Sequence, residues 1–413
     1  MVPQDVFAGR GRLPHSDLAG AVVTEQMFAY LDARRADLVG LRRDLHAHPE
    51  LAFQEERTAG IVAGRLRAAG LEVRTGVAHT GVVGILRGGR PGPAVLLRAD
   101  MDALPIEEAN ETPYRSRTPG VMHACGHDGH TAVALIVAEG LAAMRADLAG
   151  TVVVAFQPAE EIAAGARPML EAGVMDSPRV DAVVGLHLWN DLPTGIVGVR
   201  AGPAFASMDE IVLAVEGRGG HGAIPHQAAD PIVAAAQIVG ALQTVVSRDV
   251  APLDAAVVTI GAIHAGTAFN VIPDRVEMRG TVRAFSDEVR ARTLRRVEEI
   301  ATGVAGAMRT RATLTVRVGC PAVVNDAAVA ERVRRAAEHV VGPAAVIEMT
   351  PTTGSDDVAY FLQRAPGCYF VVGSQNRARG LDGPHHNPRF DFDEEALLIG
   401  AKTLGGAALA LLR

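Results

Sequence analysis

The densest cluster of potential metal ligands in the sequence is the segment His-Ala-Cys-Gly-His-Asp-Gly-His at positions 123–130, just before a predicted helix at 131–144. It brings three histidines, one cysteine and one aspartate into eight residues, and these side chains bind zinc and related divalent metals. Cys125 and His127 are two residues apart, so on an extended backbone they would face the same metal. The segment lacks the paired cysteines of a closed structural zinc site, so further ligands must come from elsewhere, as in a catalytic site.

Two glutamates and one histidine follow predicted strands elsewhere in the chain. Glu160 and Glu161 come after the strand predicted at 150–157, and His187 follows the strand predicted at 180–186. Side chains at the carboxyl ends of parallel strands meet at one edge of a sheet. Adjacent residues on an extended backbone point in opposite directions, so one glutamate could bind metal while the other faces a water. The alternative is a solvated helix start, where acidic residues are favoured.

Two further pairs of residues have suitable chemistry and suitable positions. Asp100 and Asp102 follow the buried strand predicted at 94–97 and could either bind metal or orient ligand histidines from behind. His385 and His386 lie between two prolines, which indicates a rigid loop that presents a ligand.

Three competing interpretations of these motifs have less support. The segment at 217–222 matches G-x-G-x-x-G after a predicted strand, but Pro225 follows at once and no helix can begin there, so we do not expect a dinucleotide site. Hydrolysis by Cys125 as a nucleophile is a second alternative, although His127 is too close in sequence to serve easily as its base. A metal-dependent binding protein without catalysis is a third.

The order of predicted elements indicates two domains. Strands and helices alternate over residues 71–186, which predicts an α/β domain with a mostly parallel sheet. After residue 203 the order becomes strand, helix, two strands, helix and strand, the ferredoxin-like arrangement. We predict a catalytic domain made of residues 1–203 and 319–413, into which residues 204–318 are inserted as an α+β domain. The first 25 residues are expected to form a loose extension, followed by a helix at 25–45.

The composition is that of an ordinary globular protein, since 48% of the 413 residues are hydrophobic and 21% are charged. The chain has 40 basic and 47 acidic residues and no basic run, so we expect neither a nucleic acid nor a membrane as partner. Lys402 is the only lysine and lies in a predicted terminal helix, which argues against Schiff-base chemistry.

The number of cysteines and the apolar segments of the sequence indicate the cellular location of the protein. Three cysteines in a long chain argue against a disulfide framework and for a reducing compartment. The N-terminal segment has no apolar stretch typical of a secretory signal, and the longest apolar candidate, at 231–247, is interrupted by two glutamines. We therefore expect a cytoplasmic protein.

Taken together, the motifs resemble the amidohydrolases that include hippurate hydrolase, indoleacetyl-amino-acid hydrolases and bacterial N-acyl-amino-acid aminoacylases. The resemblance spans about residues 41–412, and the matching segments in order are LLRADMDALP, HACGHDGH, FQPAEE, GLHLW, GRGGHGAIPH, GTAFNVIPD, RGTVR and HHNPRFDFDEEAL. It implies a metallopeptidase-like catalytic domain with an inserted ferredoxin-like domain that acts as lid and dimerisation surface. The chain would then form a homodimer or a higher homo-oligomer.

The resemblance also implies a dinuclear centre with two divalent ions per subunit, which would be zinc, manganese, cobalt or nickel. Its five ligands would be Cys125, His127, Glu161, His187 and His386. Glu160 matches the general base of the family, and Asp102 matches the acid that supports the metal cluster. The family pattern has a single histidine where this chain has two, and His386 takes the ligand position, which leaves His385 without an assigned role.

The remaining implied residues concern the substrate. His221 matches a lid histidine that helps to hold the scissile carbonyl oxygen, and it reaches the partner's active site in relatives. Asn270 and Arg283 match lid positions that contact the substrate, and Gly354 and Ser355 match the loop that lines the cleft. The implied reaction is hydrolysis of the amide bond of an N-acyl amino acid to a carboxylic acid and a free amino acid. A dipeptidase or carboxypeptidase on the same scaffold is the alternative.

Overall fold

Ten α-helices and sixteen β-strands make up the regular structure of residues 15–413, the part of the chain that the computed structural model describes. The helices are α1 His15–Ala33, α2 Arg35–Ala47, α3 Glu56–Ala68, α4 His127–Ala143, α5 Ala166–Glu171, α6 Pro231–Thr244, α7 Asp287–Ala307, α8 Ala327–Val341, α9 Ala359–Leu362 and α10 Glu395–Leu411. The strands are β1 Glu72–Val77, β2 Gly81–Arg87, β3 Arg90–Asp100, β4 Ala149–Gln157, β5 Ala182–Pro193, β6 Val197–Val199, β7 Gly202–Phe205, β8 Met208–Glu216, β9 Gly220–His221, β10 Ala256–Ala265, β11 Val271–Ile272, β12 Arg275–Ala284, β13 Arg311–Cys320, β14 Val323–Asn325, β15 Val346–Glu348 and β16 Gly367–Gln375.

The larger unit is built on an eight-stranded sheet in the order β1-β2-β4-β3-β5-β16-β6-β15. Its central strands β4, β3, β5 and β16 are parallel to one another. At one side β2 pairs antiparallel with both β1 and β4, and at the other side β6 pairs antiparallel with β16 and parallel with β15. The central strands read as nearly continuous apolar runs because helices cover both faces: α4 and α10 lie on one side, and α5 and α9 on the other. The predicted α/β class with a mostly parallel sheet is confirmed.

The smaller unit is a four-stranded antiparallel sheet in the order β10-β12-β8-β13, covered by α6 and α7. Along the chain its elements follow the predicted order of strand, helix, two strands, helix and strand. Asp230 and Ser286 cap its two helices, accepting hydrogen bonds from backbone N–H groups of the first turn. Met208 and Cys320 pair directly, so the chain enters and leaves the unit side by side. The exact domain boundaries remain a prediction.

Helix α6 continues into a π-helical turn, Val245–Asp249, and together they are long and apolar enough to cross a membrane. Its two ends connect to β8 and β10, which belong to the same sheet, and Ala234, Ile238 and Leu242 are buried in the core beneath it. The helix is therefore the crossover connection of this sheet.

The N-terminal prediction is only partly correct. Residues 1–14 of the predicted loose extension lie outside the described residues, but α1 already begins at His15. The single helix predicted at 25–45 is in fact two helices that meet at Arg34. Met27 and Leu31 of α1 are fully buried in the main core, so tertiary packing holds this segment helical.

Candidate metal centre and active site

Most of the predicted site residues converge where β3, β4 and β5 approach α4 and the loop around His386. A cavity of about 440 Å³ opens there, between the two units. The residues that line it are Cys125, Glu160, Glu161, Ala163, His187, Trp189, Phe205, Met208, Arg283, Cys320, Gly354, Ser355, Asp356, His385 and His386.

All five predicted metal ligands are brought together at this cavity, in two overlapping groups. Cys125, His127 and His187 form one group, and Cys125, Glu161 and His386 form the other; within each group the ligand atoms lie within 4.8 Å of one another. Cys125 Sγ is 3.6 Å from His187 Nε2, and His386 Nε2 is 3.3 Å from Glu161 Oε2. Because Cys125 belongs to both groups, the arrangement suits two neighbouring cations.

The hydrogen bonds of His127 and His187 leave one ring nitrogen of each free. His127 Nδ1 is 2.9 Å from the carbonyl oxygen of Asp102, and His187 Nδ1 is 2.6 Å from that of Leu188. A carbonyl oxygen can only accept, so both Nδ1 atoms carry a proton, and in the neutral rings both Nε2 atoms keep the lone pair. This is the tautomer that a metal ligand needs, with the second nitrogen held by the backbone.

Two other histidines at the site are held in the opposite tautomer. The backbone N–H of Leu188 donates to His130 Nε2 at 2.9 Å, and that of Asn190 donates to His385 Nε2 at 3.1 Å. Each ring, when neutral, therefore carries its proton on Nδ1. His130 Nδ1 then donates to Asp100 at 2.7 Å. Neither ring has a free lone pair to offer a metal, which separates His385 from its neighbour His386.

The free atoms at the centre fit a cation. Among the described residues, His127 Nε2 and Glu161 Oε1 are buried without a hydrogen-bond partner, and they lie 3.8 Å apart. Burial, then Glu161 and Glu160, raises the pKa of the Cys125 thiol well above its usual range. Burial lowers the pKa of His127, but Asp100 and Asp102 outweigh it and raise that pKa to about 10. A bound divalent cation would take the unpaired nitrogen and oxygen as ligands and compensate the buried negative charge.

Two local geometries at the site differ from those expected. Gly126 has a φ of 92° and ends the extended segment, so His127 is the first residue of α4 and does not share a strand face with Cys125. His187 does not follow its strand but lies within it, because β5 continues to Pro193 alongside β16. β5 pairs with β3 only as far as Gly185, so His187 still lies beyond that pairing.

The two glutamates also differ from the prediction, because they do not point in opposite directions. They lie in a turn that follows Ala159, whose φ is 54°, and both approach His127 Nε2 at 3.8 to 3.9 Å. The Asp102 carboxylate fixes this turn, since its two oxygens accept from the backbone N–H groups of Glu160 and Glu161 at 3.0 Å. Through these two contacts Asp102 positions Glu160 and Glu161, which is compatible with the supporting role predicted for it.

A buried charge network lies behind Glu160. Arg98 is buried and contacts Asp100 at 2.6 Å and Asp356 at 2.9 Å. Asp356 lines the cavity, and its carboxylate, with those of Glu160 and Asp357, forms a group within 4.8 Å. Burial, then Asp356 and Glu161, raises the pKa of Glu160 well above its usual range. The sequence analysis did not single out Asp356, although it is adjacent to the predicted cleft residue Ser355.

The far wall of the cavity carries a cation and apolar side chains. Arg283, at the end of β12, donates to Ser355 Oγ at 2.9 Å, and no ion pair among residues 15–413 includes it. Burial lowers the pKa of its guanidinium. Trp189 and Phe205 stack edge to face at 5.7 Å beside it in the lining, with Met208. Sequence reasoning missed this apolar wall, because its residues come from separate segments and share no motif.

Two predicted site residues do not reach this cavity. His221 and Asn270 are exposed and lie in the ribbon formed by β9 and β11, where Gly222 N–H donates to the Asn270 carbonyl at 2.8 Å. Ala223 N–H donates to His221 Nδ1 at 3.0 Å, so the neutral ring carries its proton on Nε2. Phe269, beside Asn270, is fully exposed. The ribbon therefore presents a hydrogen-bond donor and an aromatic ring outside the cavity of its own chain.

Comparisons with known proteins identify the family of the chain. The family model described as Peptidase family M20/M25/M40 matches residues 96–410. An N-acetyl-L-cysteine deacetylase of Bacillus subtilis is 39% identical over 407 residues, or 97% of this chain and 95% of the relative. Thermostable carboxypeptidase 2 of Saccharolobus solfataricus is 40% identical over 91% of this chain and 94% of the relative. IAA-amino acid hydrolase ILR1-like 4 of Arabidopsis thaliana is 41% identical over 88% of this chain and 83% of the relative.

A solved structure shows the same fold. A dinuclear metal binding peptidase of family M20 from Bacillus subtilis matches with a TM-score of 0.80 at 37% identity, covering 92% of this chain and 99% of that chain. The resemblance inferred from the motifs is therefore confirmed, and the chain belongs to peptidase family M20/M25/M40.

Proposed function

We propose that this protein hydrolyses the amide bond of N-acyl amino acids, releasing a carboxylic acid and a free amino acid. The observation that carries the proposal is one cavity lined by four of the five metal-ligand side chains, with His127 grouped beside them, and by an arginine without a carboxylate partner among the described residues. The relatives named N-acetyl-L-cysteine deacetylase and IAA-amino acid hydrolase support this substrate class.

The residues proposed to hold two divalent ions are Cys125, His127, Glu161, His187 and His386. When bound, the ions would polarise the scissile carbonyl and lower the pKa of the attacking water. The mixture of thiolate, imidazole and carboxylate ligands suits zinc, manganese, cobalt or nickel, among which availability often decides.

Glu160 is the proposed general base. It lies beside the ligand Glu161 and 3.9 Å from His127 Nε2, and it is held in place through the backbone contact with Asp102. Its carboxylate takes the proton of the attacking water and later returns it to the departing amine. His221 is the proposed donor to the oxyanion of the tetrahedral intermediate. The N–H of Ala223 fixes the ring so that Nε2 carries the required proton.

Arg283 is the proposed partner of the substrate carboxylate, because a guanidinium can bind both carboxylate oxygens at once. Ser355 holds it at the cavity wall, with Gly354 beside it, and Asn270 is proposed to contact the substrate from the lid. The adjacent wall of Trp189, Phe205 and Met208 suits an apolar group on the substrate.

A dipeptidase or carboxypeptidase is the second candidate, favoured by the carboxypeptidase relative. A dipeptide would bring a free ammonium group into the acyl side of the cavity. Asp356 is an acid that could receive it, but its oxygens already accept from Arg98 at 2.9 Å and from Val358 N–H at 2.8 Å. An N-acyl amino acid is the first candidate because of the deacetylase and IAA-amino acid hydrolase relatives.

We also propose that the smaller unit acts as a lid and joins two copies of the chain into a homodimer. β10 is an edge strand, and Ile263 on this strand is exposed, as are Ile232 and Val233 on the neighbouring helix α6. Exposed apolar side chains beside an unpaired strand edge are typical of an association surface. The three buried cysteines without disulfides agree with the proposed cytoplasmic location.

The test is hydrolysis of N-acetyl-methionine, N-benzoyl-glycine and a matched dipeptide, measured by amine release before chelation, after chelation and after metal is restored. We expect metal-dependent release from at least one N-acyl substrate and slower release from the dipeptide. Activity that survives chelation, or a clear preference for the dipeptide, would contradict the proposal.

A further inference from the structure

We propose that His385 is a positioning residue that donates a hydrogen bond from Nδ1–H to the metal-binding sulfur of Cys125. This inference rests on the proposed metal centre and assigns a role to a histidine that neither the ligand set nor the catalytic residues use. The separation between Cys125 Sγ and His385 Nδ1 is 3.8 Å, within reach of an N–H···S hydrogen bond.

The tautomer of His385 decides the direction of this contact. The backbone N–H of Asn190 points at His385 Nε2 from 3.1 Å, so Nε2 must accept and the proton of the neutral ring lies on Nδ1. His187, on the other side of the same sulfur, has the opposite tautomer, with its Nε2 lone pair 3.6 Å from Cys125 Sγ. Of the two imidazoles beside the sulfur, one offers a lone pair to a cation and the other offers a proton to the thiolate.

The position of the ring is fixed by packing as well as by the backbone. His385 lies between Trp189 and Phe390, with ring centroids 5.1 and 4.9 Å away and interplanar angles of 36° and 37°. The carbonyl of Ala124 also receives the N–H of His386, which ties the histidine loop to the segment that carries Cys125. A ring held in this way cannot turn its Nδ1–H away from the sulfur without breaking several contacts.

The sulfur needs such a donor because its surroundings are acidic. Cys125 is buried, and Glu160 and Glu161 line the same cavity. A hydrogen bond to a thiolate lowers the energy of the sulfur lone pairs and weakens electron donation to the metal, as hydrogen bonds to ligating sulfur do in other metal sites. His385 would thereby set the strength of the metal–sulfur bond without binding the metal.

The test replaces His385 in the cobalt(II)-loaded enzyme and measures the sulfur-to-cobalt charge-transfer band in the near ultraviolet. His385→Phe keeps a ring between Trp189 and Phe390 but removes the donor. His385→Asn can place an amide N–H near the position of Nδ1. Both variants lose the acceptor for Asn190 N–H. His385→Phe keeps the ring and loses the donor, whereas His385→Asn keeps a donor and loses the ring, so a band shift that follows the donor is distinguished from one that follows the ring. Metal content is measured for each.

We expect the charge-transfer band to move to longer wavelength in His385→Phe and to return toward the wild-type position in His385→Asn, with two ions bound throughout. A band that stays unmoved in His385→Phe would overturn the proposal, as would a loss of one bound ion, since that outcome would make His385 a ligand. A wild-type enzyme that binds cobalt without any such band would instead contradict Cys125 as a ligand, and with it the proposed metal centre.

A second measurement does not depend on the variants folding. In the zinc-loaded wild type, nitrogen NMR of labelled histidines distinguishes the two neutral tautomers. His385 is expected to show a protonated Nδ1 and an unprotonated Nε2 that does not change on metal loading. Protonation on Nε2 would exclude the hydrogen bond to Cys125.

Discussion

The metal-ligand cluster and the ribbon formed by β9 and β11 differ in whether a single chain brings their side chains to the cavity. In the cluster, Cys125, His127 and His187 are buried, and hydrogen bonds to the backbone fix both imidazoles with the metal-binding nitrogen free. In the ribbon, His221 and Asn270 are exposed and lie outside the cavity that their chain forms. His221 nevertheless has an equally defined tautomer, set by Ala223 N–H.

This contrast indicates that the two parts depend on different contacts. The ligands of the cluster come from β5, from the start of α4 and the residues just before it, from the turn after β4, and from the loop of His386. Packing already buries three of them in this chain. The ribbon presents its donor from a small antiparallel pair of strands with few neighbours of its own. We therefore expect the cluster to bind metal in a single chain, and the ribbon to act only when a second surface brings it to a cavity.

The largest expected effect comes from removing the base while sparing the ligands. Glu160→Gln should lower kcat by about 10²- to 10⁴-fold, because the amide cannot take the proton of the attacking water. The cluster should remain complete, so metal analysis should still find two ions per chain. Retained turnover in a variant with full metal content would remove Glu160 from the mechanism.

The next largest effect is expected from removing His221, the proposed oxyanion donor of the ribbon formed by β9 and β11. His221→Ala should lower kcat by about 10²- to 10³-fold through loss of the oxyanion donor, with unchanged metal content. If the ribbon serves the partner's cavity, exchanging subunits of this variant with Glu160→Gln should restore about a quarter of wild-type activity, because each mixed dimer gains one intact site. Exchange that restores nothing, despite mixed dimers, would place His221 in the cavity of its own chain.

A smaller effect separates substrate binding from chemistry. Arg283→Ala should lower kcat/KM by about 10- to 100-fold, mainly through KM, because a charge-assisted hydrogen bond to the substrate carboxylate is lost. Arg279 is exposed on the same strand and pairs with Glu210, so Arg279→Ala is a matched control that should leave kinetics unchanged. An N-acyl amino acid amide should bind Arg283→Ala and the wild type equally well; if it does not, Arg283 has another role.

The same contrast explains what could be predicted from the sequence. Cys125, His127, Glu160 and Glu161 lie in two short, dense segments that follow or precede regular elements, so their clustering and their place at strand ends could be inferred. Their local geometry could not, because it depends on positive φ angles at Gly126 and Ala159, positions that carry no distinct pattern.

The histidine tautomers and the apolar wall of the cavity are harder to predict from the sequence. His385 and His386 are adjacent and of one type, and only the N–H of Asn190, distant in sequence, distinguishes them. Trp189, Phe205 and Met208 meet because two units pack together, and no spacing links them. In the same way, the prediction of a loose extension is wrong for residues 15–25, because α1 is stabilised by contacts with the main core.

The smallest expected effect is on stability and concerns Asp391, a buried residue just after the loop that carries His385 and His386. Asp391 is buried, and its carboxylate accepts from Arg42 at 2.9 Å and from Tyr114 at 2.8 Å. Burial raises the pKa of Asp391, but Arg42 and Tyr114 outweigh it and hold that pKa below its usual range. Asp391→Asn should therefore reduce the free energy of unfolding by about 1.5 to 2 kcal/mol at neutral pH.

The pH dependence of this effect has a defined sign. A carboxyl group whose pKa is lowered in the folded protein stabilises the fold above its unfolded pKa of about 3.9, and this contribution is lost as the pH falls through the folded value. Denaturant unfolding of wild type and Asp391→Asn should thus show a difference that is constant near neutrality and shrinks below about pH 4. A difference that does not shrink on acidification would mean that Asp391 acts through packing and that the charge of Arg42 is balanced by Asp128, its other buried partner.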